Sequence, residues 1–240
     1  MDPAAFSVEI GLYGPRALPC RAWCRCDSQG QGWVNSAASI VGKWPCHMHL
    51  ARFLVEHGAD VATQNNRGST PLHEASRWGY EDLARLLVEH GADAAAQDKH
   101  GSTPLHEVSQ SGCVDLARFL VEHGANAGAQ NKNGWTPLQD AAIHNHVDLA
   151  SFLVDHGADT AAQNKEGLTP LHLASEMGHM DLARLLIEHG ADAAAQDTDG
   201  SNPLDRARDN GHLELSLFLV EHDVDTAAED TMQIQQPTKI

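Results

Sequence analysis

GSTPLHEASRWGYEDLARLLVEHGADAAAQDKH, residues Gly68–His100, begins again at Gly101, at Gly134 and at Gly167, and a shorter copy starts at Gly200. The step is 33 residues throughout, with nothing inserted or lost. A strict period of this size is the signature of a solenoid, in which each unit packs mainly on its neighbours. The period settles the scaffold before any residue is read for chemistry.

Within a unit the residue types place the elements. Thr70-Pro71 marks a helix start, since threonine caps well and proline at the first helical position gives up a donor that would be orphaned anyway. The first helix is expected over about Pro71 to Trp78, ending near Gly79. The second opens with Glu81-Asp82, where acidic groups suit the positive helix end. Leu83, Leu86 and Leu87 then form one apolar stripe, and His90-Gly91 closes the helix with a left-handed cap. Asp98-Lys99-His100-Gly101 reads as a tight turn. Helices of two to three turns do not persist alone in water, so the stripe must bury against the next unit.

The flanks differ. Residues 1–34 carry Gly and Pro breakers, three cysteines and two tryptophans without period, and read as irregular or disordered. Residues 35–67 are a degenerate opening unit whose second half matches well and whose first half is broken at Pro45. Four full units follow, 68–100, 101–133, 134–166 and 167–199. The last unit, 200–230, has a polar first helix (Arg206, Arg208, Asp209, Asn210), as expected of a cap whose outer face is wet. A flexible tail, 231–240, completes the chain.

The net charge of −17 is concentrated in the repeats: residues 68–230 hold 9 Lys/Arg against 28 Asp/Glu. Such a surface repels phosphate backbones and favours a basic or neutral protein surface as partner. No apolar run approaches the ~18 residues of a membrane span, and Asp2 and Glu9 interrupt any secretory pattern. Four of the five cysteines lie in residues 20–46, so the repeats do not depend on disulfides. A monomeric, soluble protein of the cytoplasm or nucleus is expected.

Three constellations invite a chemical reading. His57, His90, His123, His156, His189 and His222 are one position repeated. Helices pack ~8–10 Å apart, whereas ligands of one zinc lie ~2 Å from it, so these read as scaffold. Cys20, Cys24, Cys26 and Cys46, with His47 and His49, supply ligands without a standard zinc spacing, and no metal is expected. Asp82/Arg85, Asp115/Arg118 and Asp181/Arg184 read as surface ion pairs at i, i+3. No nucleophile elbow, P-loop or paired metal-ligand motif occurs, so neither catalysis nor a cofactor is expected. Thr238-Lys239-Ile240 fits a carboxylate-end ligand of a PDZ-type domain, but a plain tail is the simpler reading.

With T-P-L-H at 70–73, 103–106 and 169–172, and L-L-x-x-G-A-D at 87–93 and 186–192, the chain resembles the ankyrin-repeat proteins over about residues 47–230. The resemblance implies an all-α solenoid of helix–turn–helix units joined by outward β-turn fingers. It also implies protein binding through the finger tips and the concave face of the first helices. Carried over by position, the finger candidates are Arg67, Lys99, His100, Lys132, Asn133, Trp135, Lys165 and Leu168. The first-helix candidates are Arg77, Trp78, His144 and Met177. These positions vary among otherwise similar copies, as a binding scaffold requires. The places where some members carry a hydroxylated Asn hold Ala62, Ala95, Gly128, Ala161 and Ala194, so that modification is not expected. The alternative reading is a structural spacer, or a fragment of a larger repeat protein whose function lies in another domain.

Overall fold

The computed structural model describes residues 48–222, all within the second of the chain's two units, Asn35–Ile240. The expectations for residues 1–34, for Pro45, for the cysteine-rich set around Cys20–His47 and for the tail lie outside the described residues. The helices are α1 (Met48–Glu56), α2 (Pro71–Arg77), α3 (Glu81–Glu89), α4 (Pro104–Ser111), α5 (Val114–Glu122), α6 (Pro137–Ile143), α7 (Val147–Asp155), α8 (Pro170–Met177), α9 (Met180–Glu188), α10 (Pro203–Asp209) and α11 (213–222). They form two rows. The short first helices α2, α4, α6, α8 and α10 pack on one another, and the second helices α1, α3, α5, α7 and α9 form the row behind.

Each first-helix start is made by a reciprocal pair. Thr70 has extended backbone (φ −83°, ψ 168°) and its hydroxyl accepts from the His73 amide, while the His73 ring accepts at Nδ1 from the Thr70 amide at 3.2 Å. Two donors that a helix start leaves orphaned are thereby satisfied. Thr103 with His106, Thr136 with Gln139, Thr169 with His172 and Asn202 with Asp205 repeat the arrangement. The second helix ends in a left-handed glycine, with Gly91 donating to the Val88 carbonyl and Ala92 to that of Leu87, both at 2.9 Å. These are the two bonds of a Schellman cap.

The core runs between the rows. Leu72, Leu105, Leu138 and Leu171 of the first helices, and Leu87, Leu120, Leu153 and Leu186 of the second, are fully buried. Each large side chain contributes about 1.5–3 kcal/mol by leaving water. Leu86, expected in the buried stripe, is only half-buried at its edge.

Outside the helices the turns are tied to one another. Gly101 donates to the Asp98 carbonyl at 3.0 Å, and the Asp98 carboxylate accepts from the amides of His100 and Ser102. Successive fingers are then linked by backbone bonds from Lys99 to Arg67, Lys132 to His100, Lys165 to Asn133 and Thr198 to Glu166. Their contact explains the turn glycine: a Cβ on Gly68 would stand 2.7 Å from the Lys99 amide nitrogen, and the residue also has φ +81°.

One expectation about the outer row needs correction. Arg85 pairs with Glu81 at 2.7 Å, one turn away, rather than with Asp82. Arg118 and Arg184, like Arg85, lie across the aromatic ring of the next unit, at 5.1 Å from Phe152, 4.9 Å from Phe218 and 4.5 Å from Phe119. A guanidinium over a ring face gains both stacking and electrostatic attraction, which outcompetes an exposed i, i+3 pair. In the last unit Arg208, Asp209 and Asn210 of the first helix are exposed, while its second helix carries exposed apolar side chains as well. Leu217 stands where those arginines stand, and with no described ring before it Leu217 is 67% exposed, beside Leu213 at 75%.

Candidate protein-binding surface

The residues singled out on the fingers fall into two sets. Arg67, Lys99, His100, Lys132, Asn133 and Lys165 are exposed. Two of the lysines also hold the fingers in register: the Lys99 ammonium donates to the Asn66 carbonyl at 2.8 Å, and that of Lys132 to the Lys99 carbonyl at 2.7 Å. Trp135 is half-buried against the core, and its carbonyl accepts from His106 Nε2 at 3.0 Å. Leu168, expected to face a partner, is instead buried (6% exposed). At its position Ser69 and Trp135 show how tightly the finger base is packed, and an aliphatic side chain there turns into the core.

The first-helix candidates share one row. Trp78 is 55% exposed and Met177 is 45% exposed, with His144 exposed between them in the same register. The His144 ring donates from Nδ1 to the Asp140 carbonyl at 2.9 Å and stacks on His146. Arg77 points along the row instead of outward: its Nε and one terminal nitrogen each donate to the Glu107 carboxylate at 2.8 Å.

That last pair belongs to a series. Positions thirty residues apart on neighbouring first helices face each other. Arg77 meets Glu107; Gln110 meets Asp140 by one amide bond of 3.4 Å; Ile143 and Leu173 hold the corresponding places; and Glu176 meets Arg206 at 3.7 Å. The outer junctions pair opposite charges and the third pairs two apolar residues, while the Gln110–Asp140 junction has a carboxylate met only by an amide. A second series links the finger base to its own helix: Asn65 donates to Glu74 at 3.0 Å, and Arg206 pairs with Asp197. Leu173 breaks this series, and the buried Asn164 Nδ2 consequently has no partner among the described residues.

Burial sets the protonation states. His73, His106 and His172 are held below the usual imidazole range because burial disfavours the cation. Their geometry agrees: Nδ1 accepts from the N-cap amide, so Nε2 carries the proton and donates to the carbonyls of Ser102, Trp135 and Ser201 in the next unit, at 3.0–3.1 Å. Burial pushes the Asp140 carboxyl up to about 7, with the Glu107 charge adding to it. Asp197, although burial pulls it upward, is held below the usual carboxylate range by Arg206 and by the amides of Ser201 and Asp199.

A second histidine ladder is absent from the sequence reading. His146, His179 and His212 donate from Nε2 to the carbonyls of Gln110, Ile143 and Glu176, thirty-six residues back, at 3.0–3.2 Å. The contact leaves no room for a side chain before it: a Cβ on Gly178 would stand 2.5 Å from the His212 ring. The signal was the recurrence of His directly after the inter-helix turn, obscured by Tyr80 and Cys113 at the same position. Among the described residues no group of three or more His, Cys, Asp or Glu is placed to hold a metal, and no helix is long and apolar enough to cross a membrane.

A repeated framework with buried caps, carrying exposed positions that change from unit to unit, defines a helical repeat scaffold. The ankyrin-repeat model matches it in three stretches, 36–98, 91–164 and 159–230. The chain belongs to the ankyrin-repeat family, whose members are generally protein-interaction modules. No curated protein matches it as a relative.

Proposed function

We propose that the chain is a non-catalytic scaffold that binds a protein partner through the exposed ends of its first helices, with the finger tips at the rim. One observation carries this reading. At a single repeated position the chain has Trp78, Ser111, His144, Met177 and Asn210, all different and all exposed, while the cap residues around them recur and are buried. Sequence freedom at a repeated solvent-facing position is what a recognition surface needs. Exposed aromatic and methionine side chains are the types that dominate interface energetics.

Capture of partners on immobilised protein, wild type beside a Trp78→Ala/Met177→Ala double variant, tests it. A specific partner retained by the wild type and lost from the variant is expected, with coincident melting curves for the two proteins. Equal capture by both would remove this row from the binding site.

A further inference from the structure

We infer that Asp140 is a socket for an arginine or lysine side chain of the protein partner, a reading that rests on the interaction role proposed above. The molecule itself shows what this place accepts. At the α2/α4 junction the Arg77 guanidinium grips Glu107 by two parallel bonds of 2.8 Å, the fork geometry that suits a carboxylate. At the α8/α10 junction Arg206 faces Glu176 and also holds Asp197. The α4/α6 junction has the carboxylate without the cation. Gln110 stands where Arg77 stands one unit earlier, and offers Asp140 a single amide bond of 3.4 Å.

Among the described residues no nearby cation makes up the charge. From α4, the group facing Asp140 is Glu107, acidic and already engaged by Arg77. From α8, the corresponding place is Leu173, while Glu176 lies against Arg206. On α6 itself, the His144 ring donates to the Asp140 main-chain carbonyl. The carboxyl, pushed up to about 7, is therefore ill served by its own chain. An incoming guanidinium would restore the pairing seen at Glu107, and its aliphatic stem would lie along the exposed row of His144 and Met177. A chain of net charge −17 also favours a basic segment as the approaching partner.

The test is selection of random linear peptides on the full chain, run in parallel on wild type, Asp140→Asn and Gln110→Arg. Gln110→Arg keeps the carboxyl but fills the socket from within, as Arg77 does at Glu107. Should Asp140→Asn melt early, Gln110→Arg carries the test. The expected result is a wild-type consensus with one fixed Arg or Lys, absent from both variants. The selected peptide should bind them about tenfold or more weakly, the loss of one charge-assisted contact. Wild-type affinity should be roughly tenfold higher at pH 8 than at pH 6, because only the ionised carboxyl binds a cation. A consensus without a fixed basic residue, or the same basic consensus on both variants, overturns the socket and leaves the interaction reading standing. Enrichment of no peptide on wild type overturns both.

Discussion

His106 and Gln139 hold one place in successive units by different chemistry. Each accepts from its N-cap amide and donates to a carbonyl of the next unit, but only the histidine can titrate. Its folded-state pKa is depressed, so the unfolded chain binds more protons just below 6.5. The stabilisation is complete above that pH and is lost progressively as pH falls below it. His106→Gln should therefore leave stability near pH 7.5 almost unchanged and reduce its fall between pH 6.5 and 5, read from urea melts. An undiminished slope would mean that this ring is not held neutral. Asp140 acts with the opposite sign. Its raised folded-state value makes its contribution full below the unfolded 3.8 and lost as pH rises through about 7. Asp140→Asn should thus gain stability relative to wild type at pH 8 and not at pH 5.

At the scale of the element, a helix of seven to nine residues is held by its neighbours. Leu120 is fully buried between rows in mid-stack, and Leu120→Ala should cost ~2–5 kcal/mol in urea melts, transfer and cavity combined. A cost below half a kilocalorie would contradict the burial. The junction side chains add a directional contribution. Arg77→Ala leaves the Glu107 carboxylate buried without its cation, and should cost about 1.5–3 kcal/mol. Adding Glu107→Gln should recover part of that loss, since the uncompensated charge is then removed.

For the whole molecule, the repeat period, the caps, the glycine turns and the leucine core were legible, because each recurs and each answers to one local rule. The site was legible only in part. Trp78, His144 and Met177 stand at a position whose variation shows in the sequence, and they are exposed. Leu168 was variable too but buried, since variation alone does not distinguish a face from a core that tolerates Ser, Trp or Leu. The arginine–aromatic stacking of the outer row and the Nε2 bonds of His146, His179 and His212 join residues about one unit apart, beyond any helical period. The junctions make a prediction at this scale. Deleting residues 101–133 would bring Arg77 opposite Asp140, a complementary pair. Deleting 167–199 would bring Ile143 opposite Arg206 and remove Asp197. The first shortened chain should be the more stable in urea, and equal midpoints would mean that the junction residues do not specify neighbours.

Along the exposed row of Trp78, His144 and Met177, recognition is separate from the buried caps and leucines that hold the stack. The most direct measurement is the affinity of the captured partner for Trp78→Ala/Met177→Ala, taken together with that variant's Tm. The expected result is a Kd raised about tenfold or more, as for loss of an interface hot spot, with Tm unchanged from wild type. An unaltered Kd, or weakened binding that appears only with a lowered Tm, would contradict it.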